Sequence, residues 1–364
     1  MNNYETLKLA VSNPEFINML IIALVLLFSC AGIRKAEVQN LLTVDQSKQL
    51  KGLAIIFIIL GHLWVHVVDS LPKILLGGEG VAMFLLLSGY GLTASYKNRG
   101  MVPGAYLMAR LRRVMIPYWV TTVFLVTLDY FILNRTYSLQ DIGMTMLGVN
   151  INVTTRYIDY VRWFITFILI WYILFFISFS LFKDRLRALF LIVCAAIIFP
   201  LDYYITHLGF YQIFAFPAGC AISHYYKDIN NAFTRRPLFY FLIATIILFG
   251  VVLYKYDSSS VSYPYVPTIM IKALDEGISI LFCFALIILI GAIGTKGYQS
   301  LFLCFLGTIS YELFLLHGAF LIKYNPVITR NGQLLPLSFG IFLLCITIMS
   351  WIAHRGIVNA YARR

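Results

Sequence analysis

Charge is scarce in this chain. Only 12% of its 364 residues are Asp, Glu, Lys or Arg, about half the roughly 25% usual in soluble domains. Acidic residues are the scarcer sign, 16 against 28 basic ones. A soluble enzyme is excluded, and with it any division of the length into soluble domains. No C-x-x-C pair occurs. Cys30, Cys194, Cys220, Cys283, Cys304 and Cys345 stand singly in or beside apolar segments. They read as small buried hydrophobes rather than disulfide or metal partners. No H-E-x-x-H zinc motif occurs, and neither does an internal repeat, heptad array or low-complexity tract. The first apolar run lacks a basic leader; Arg34 and Lys35 follow it. That argues against a signal peptide and for an anchor with its N-terminus outside.

What is present is apolar. Hydrophobic residues make up 60%, and mean hydropathy is +0.83. About eleven spans are expected, at 16–33, 51–68, 79–96, 116–134, 163–182, 187–204, 208–224, 238–254, 272–293, 300–323 and 335–353, each near the length a roughly 30 Å core needs. Pro200, Asp202 and His207 interrupt the sixth and seventh. The fold class is an all-α polytopic transmembrane bundle. Residues 1–47 read as an extra N-terminal helix and linker, and 48–364 as the main domain. Alternate connections starting with 34–51 carry 19 of the 28 Lys and Arg, the opposite set nine. The bias places 34–51 and the C-terminus in the cytoplasm. It accounts for the net charge of +12 without nucleic acid. The longest outer connection, 135–162, contains TYSLQDIGMTMLGVNIN, which reads as an amphipathic surface helix.

The second span is KGLAIIFIILGHLWVHVVDS, residues 51–70. On a helix at about 100° per residue, His62, His66 and Asp69 fall within about 60° of Lys51. Lys51 then sits at the cytoplasmic rim and His62 roughly 16 Å deeper. Ionisable groups at that depth usually face a cavity or a partner. A neighbouring helix could satisfy either imidazole. A metal could use the i, i+4 pair, but no third ligand is evident and none is expected. The remaining reading is a proton acceptor in a water-accessible cavity.

Further segments stand out. GGEGVAMFLLLSGYGL, 77–92, has Gly77, Gly78 and Gly80 for close backbone approach and Ser88, Gly89 and Gly91 for helix packing. Its Glu79 suits a helix N-terminus. YLMARLRRVMIPYWV, 106–120, sets Arg110, Arg112 and Arg113 before Pro117, expected in the first turn of the fourth span. The arginines read as a topology anchor or as a phosphate clamp. In FLGTISYELFLLHGAF, 305–320, Glu312 and His317 lie within the span, Ser310 shares a face with His317, and Tyr311 adds a hydroxyl or simply packs. VRWFITFILIWYILFF, 161–176, reads as aromatic packing, with Arg162 and Trp163 as an interface anchor.

Taken together, Lys51-x10-His62, GGEGVAMFLLLSGYGL, ARLRRVMIPYW, RWFITFILIWYILFF and LGTISYELFLLHGAF are in the order seen in the acyltransferase-3 family of integral membrane acyltransferases, which this sequence resembles over about 48–353. That family typically has ten spans, so 16–33 is an addition. Two departures stand out: Lys51 where Arg is more frequent, and Ala82 where many members carry an acid, whose role is absent here or moved to Glu79. The resemblance implies acetyl-CoA or another acyl-CoA as co-substrate, no tightly bound cofactor, and a carbohydrate or lipid-linked acceptor presented outside. Lys51, Arg110, Arg112 and Arg113 would hold the donor phosphates. His62 would act as base or transient acyl carrier, with His317 and Glu312 orienting the acceptor or stabilising the developing charge. His66, Asp69, Glu79, Ser88, Ser310 and Tyr311 would line the cavity. A homo-oligomer is compatible with this reading. A glycan or lipid-linked-sugar flippase is the competing class, since polar seams also mark transport paths. Against it, the two halves show no symmetry.

Overall fold

The structure is a computed structural model describing residues 8–30, 32–35, 40–100, 103–151, 158–183, 185–206, 208, 210–256, 267–324 and 334–362. It is 82% helical. The helices are α1 (Pro14–Cys30), α2 (Val44–His62), α3 (Gly77–Arg99), α4 (Pro103–Leu133), α5 (Leu139–Met146), α6 (Trp163–Leu181), α7 (Arg185–Leu201), α8 (Ala215–His224), α9 (Tyr226–Arg235), α10 (Pro237–Lys255), α11 (Thr268–Thr295), α12 (Leu301–Thr308), α13 (Ser310–Ile322) and α14 (Leu335–Ala362). Strands β1 (Ile33–Lys35) and β2 (Tyr298–Ser300) pair antiparallel, Ile33 opposite Ser300, and form the only sheet among the described residues.

Seven described helices are long and apolar enough to cross a bilayer: α2, α4, α6, α7, α10, α11 and α14. The pair α12–α13, bent by 73°, makes eight. The other three of the eleven expected spans fall short of that measure: α1 has 17 residues, α8 has ten, and α3 is long but more polar. Helices enclosed by protein need little lipid-facing apolar surface, and α3 and α8 are enclosed by one another. A Cβ on Gly219 of α8 would stand 2.0 Å from Leu86 O of α3, and one on Gly89 2.2 Å from Phe216 O. The same close approach joins α12 to α2, where a Cβ on Gly307 would lie 1.8 Å from Lys48 O. Small residues let helix backbones meet where apolar transfer alone supplies little drive. Gly91, by contrast, faces open space.

Two expectations about helix ends change. Pro117 lies inside α4, which starts at Pro103. Pro103 takes the first-turn role, because proline there loses no intrahelical bond. Arg110, Arg112 and Arg113 are therefore helical residues of α4. Near Pro200, α7 closes with a π-helical turn, Asp202–Thr206. The Asp202 carboxylate accepts from the backbone N–H of Leu208 and Phe210. His207 lies outside the described residues. The surface helix expected within 135–162 is α5, capped by Ser138, whose Oγ accepts from Asp141 N–H. The expected aromatic core of α6 is present: Phe167, Trp171 and Phe175 are fully buried, and Trp171 stacks on Phe216 at 5.3 Å. Arg162, expected as an interface anchor, is also fully buried.

Candidate active site

The site is built on α2 and α13. A capping box starts α2: Thr43 Oγ1 accepts from Gln46 N–H, and Gln46 Oε1 accepts from Thr43 N–H. This satisfies donors that a helix start leaves open. From there α2 runs unbroken past Lys51 to His62, a rise of roughly 16 Å between them. A π-helical turn, Leu63–Val67, follows. It keeps the His66 ring beside that of His62, with centroids 5.5 Å apart. The chain then leaves the helix. Val68 pairs with Leu9, and Asp69 N–H donates to Leu9 O. Asp69 is exposed beyond the seam, because the helical wheel does not continue through the π turn and bridge. It does not join the narrow face expected of it.

The break between α12 and α13 brings His317 to the same place. Ser310 Oγ donates to Gly307 O at the bend, 2.9 Å, so this hydroxyl is spent on backbone. His317 is fully buried on α13. Its Nδ1 faces Phe314 O at 2.9 Å and Leu313 O at 3.1 Å. Carbonyl oxygens only accept, so Nδ1 carries the proton and Nε2 the lone pair. Among the described residues Nε2 of His317 and Nδ1 of His62 have no hydrogen-bond partner. The two rings meet edge to face, 5.1 Å apart at 77°.

Tyr160, just before α6, completes the cluster. Its ring lies 4.6 Å from His66 and 6.2 Å from His62. Next to it Asp159 is buried, its Oδ1 against Gly318 of α13, where a Cβ would come within 2.4 Å. Burial pushes the Asp159 carboxyl up to about 6, against the pull of Arg162 and Lys323. Asp159 Oδ2 and Arg162 Nε and Nη2 are buried without partners among the described residues. Arg162 Nη1 donates to Thr122 Oγ1, and its guanidinium lies 4.8 Å above the Tyr118 ring. Farther along, Lys323 pairs with Asp129 at 2.7 Å, and Tyr137 and Tyr324 donate to the same carboxylate. The residue types around this chamber carried no motif, so nothing in the sequence singled out Asp159 or Tyr160.

Eleven residues back along α2 from His62 the surroundings are basic. The charges that bear on Lys51 are those of Arg113 and Arg110. Arg110 lies 5.7 Å above the Tyr106 ring, and its Nε is buried without a partner among the described residues. Tyr172 lies near both arginines and near Ser88. Tyr311 donates to Val114 O at 2.8 Å and comes close to Tyr172, Tyr118 and Arg162. These hydroxyls lie between the basic end and the histidine cluster. Arg112 and Arg113 are exposed.

Two acids expected in the cavity are engaged elsewhere. Glu312 is buried and pairs with His354 of α14, 2.9 Å from Nδ1. The five-residue offset to His317 turns it roughly 140° away on the helix. Glu79 pairs with Lys255 of α10 at 2.9 Å and accepts from Ser279 Oγ at 3.1 Å. Among the described residues no three His, Cys, Asp or Glu side chains are arranged to hold a metal ion.

An imidazole cluster where α2 ends, with cations and hydroxyls eleven residues earlier, can move a proton near a ligand held by its anionic end. Comparison with known proteins bears on that chemistry. A family model described as an acyltransferase domain matches residues 44–355. Nothing matches among curated proteins or among solved structures.

Proposed function

Because this chain belongs to the acyltransferase-3 family of membrane acyltransferases, we propose that it transfers an acyl group, acetyl in the simplest case, from acyl-CoA to a hydroxyl of a cell-surface carbohydrate or related acceptor. One observation carries the reading. A single helix, α2, carries Lys51 beside Arg110 and Arg113 and, eleven residues on, His62, whose ring lies 5.1 Å from that of His317.

In this proposal the Lys51 end faces the cytoplasm, as the excess of basic connections on that side argues. Coenzyme A is anionic at one end and carries its thioester on a long arm. Lys51, Arg110 and Arg113 hold phosphate oxygens at the rim. The arm runs past Tyr172 and Tyr311 along the seam. The acceptor enters from the Asp159 end, where Asp159 Oδ2 and Arg162 Nε and Nη2 are free to meet the paired donors and acceptors of a polyol.

The chemistry then needs one proton carrier. His62 removes the proton from the acceptor hydroxyl as its oxygen bonds to the thioester carbonyl carbon. The carbon–sulfur bond breaks, and the imidazolium returns the proton to the departing thiolate. His317, with Nδ1–H committed to carbonyls, offers only Nε2 to the site and so orients either the acceptor hydroxyl or the His62 imidazolium. An acyl-histidine on His62, discharged by the acceptor in a second step, uses the same groups.

The test is transfer from labelled acetyl-CoA by the purified full chain in detergent micelles, where vectorial transport cannot occur. Transfer that His62→Ala abolishes supports the reading. Full transfer by a correctly inserted His62→Ala chain overturns it, and no transfer by the parent with any hydroxyl acceptor favours a flippase.

A further inference from the structure

A second cavity lies at the Lys51 end of the bundle, apart from the histidines. It has a volume of about 240 Å³ and is lined by Thr93, Tyr96 and Lys97 of α3, Phe179 of α6, Arg187 of α7 and His224 of α8, among others. Its cations are held in place by neutral groups. Lys97 Nζ donates to Ser223 O and His224 O at 2.9 and 3.0 Å, which leaves one of its three N–H groups. Arg187 donates from Nε to Phe182 O and from Nη2 to Tyr96 OH. Its guanidinium lies 4.6 Å above Tyr96 and 5.1 Å above Phe179. Nη1 has no partner among the described residues, and neither cation has a carboxylate partner among them. Two oriented cations, one of them a planar guanidinium beside the Tyr96 ring, suit a ligand that is both phosphorylated and planar.

A row of packed rings separates the cavity from the rim already described. Phe179 stacks on Phe175 at 3.9 Å, Phe175 on Tyr106 at 5.6 Å, and Tyr106 lies under Arg110. At about 240 Å³ the space is below the roughly 300–1,000 Å³ of a drug-sized site. It suits one end of a donor, not the whole.

We propose that the Lys97–Arg187 cavity seats the phosphorylated adenosine end of the acyl donor, while Lys51, Arg110 and Arg113 guide the start of its arm. This rests on the acyl-CoA reading of the site. An anionic lipid headgroup offers similar phosphate chemistry but no planar ring to lie beside Tyr96 and the Arg187 guanidinium.

The experiment compares acetyl-CoA with acetyl-pantetheine, which lacks the nucleotide, in the purified full chain. Three variants are used: Lys97→Gln, Arg187→Gln, and Ala188→Trp, which fills the cavity and keeps both cations. Each is expected to raise KM for acetyl-CoA about tenfold with little change in kcat, and to leave transfer from acetyl-pantetheine as in the parent, which also controls for folding. Adenosine 3′,5′-bisphosphate should compete with acetyl-CoA in the parent and lose that competition in the variants. Equal losses with both donors, or no loss with either, overturn the nucleotide seat and leave the donor reading standing. Unchanged kinetics with less co-purifying phosphatidylglycerol would also overturn it and assign the cavity to lipid. A parent chain that neither binds coenzyme A nor uses acetyl-CoA overturns both.

Discussion

The His62 and His317 rings, 255 positions apart in the chain, stand edge to face with centroids 5.1 Å apart. Backbone carbonyls fix the His317 tautomer, so its lone pair is on Nε2, the nitrogen with no partner among the described residues. The pair therefore sets a nitrogen lone pair of fixed position on His317 beside the imidazole of His62. Most of what can be tested follows from that.

His62→Ala is expected to lower kcat for acyl transfer by about 10²–10⁴-fold, the usual worth of a positioned general base. KM should change little. Single-turnover kinetics with labelled acetyl-CoA measure the loss, and protein recovered from membranes controls for insertion.

His317→Ala is expected to lower kcat too, by a smaller factor. His317→Asn is the informative partner, because its amide N–H can keep a bond to Phe314 O but it has no basic nitrogen. If orientation is the role, Asn recovers part of the rate. If Asn is as poor as Ala, Nε2 itself handles the proton.

Lys51→Gln should raise KM for acetyl-CoA several-fold, and Lys51→Arg should lower it or leave it unchanged, since a guanidinium fork meets phosphate at two points. The Lys51→Gln penalty should shrink with rising salt, because the exposed part of the cluster is screened. Steady-state kinetics at two ionic strengths would show this.

Asp159 makes stability depend on pH. Burial raises its carboxyl from 3.8 to about 6, so the folded chain holds this proton more tightly than the unfolded one. The resulting stability is complete below about pH 3.8 and is lost as pH rises through about 6. Asp159→Asn keeps the shape and removes the titration. Thermal unfolding in micelles between pH 4 and 7 should give a shallower loss of Tm for the variant, and parallel curves would refute the assignment.

Gly307→Ala and Gly219→Ala test the helix contacts that set the site. The new Cβ would meet Lys48 O at 1.8 Å and Leu86 O at 2.0 Å, neither of them a movable side-chain tip. Each is expected to cost about 1–3 kcal/mol or more, as overpacking does. Gly91→Ala, in open space, should be neutral. Tm of the three variants gives the comparison. Gly307→Ala should also lower activity, since α12 positions the bend before His317.

Much of this was legible in the chain itself. Scarce charge and long apolar runs dictate a helical membrane protein, because only structures that satisfy their own backbone can cross lipid. The Lys51–His62 seam follows from the helix repeat, which holds from Val44 to His62. The repeat misled at Asp69, where a π turn and the Leu9 bridge end the helix. It also could not show that Pro117 is interior, since Pro103 had already started α4.

Other features depended on contacts between distant segments. Glu312 and His317 share one short helix, yet one faces His354 and the other His62. Glu79 finds Lys255 across the bundle. Asp159, Tyr160, Lys97 and Arg187 belong to no local pattern and gain meaning only from what stands beside them. Sequence alone determined the solvent of this protein and the periodic face of its second span, because hydropathy and the helix repeat are local properties. Tertiary structure alone decided which polar groups meet, because each unpartnered lone pair or charge is defined by side chains that the fold brings from hundreds of residues away.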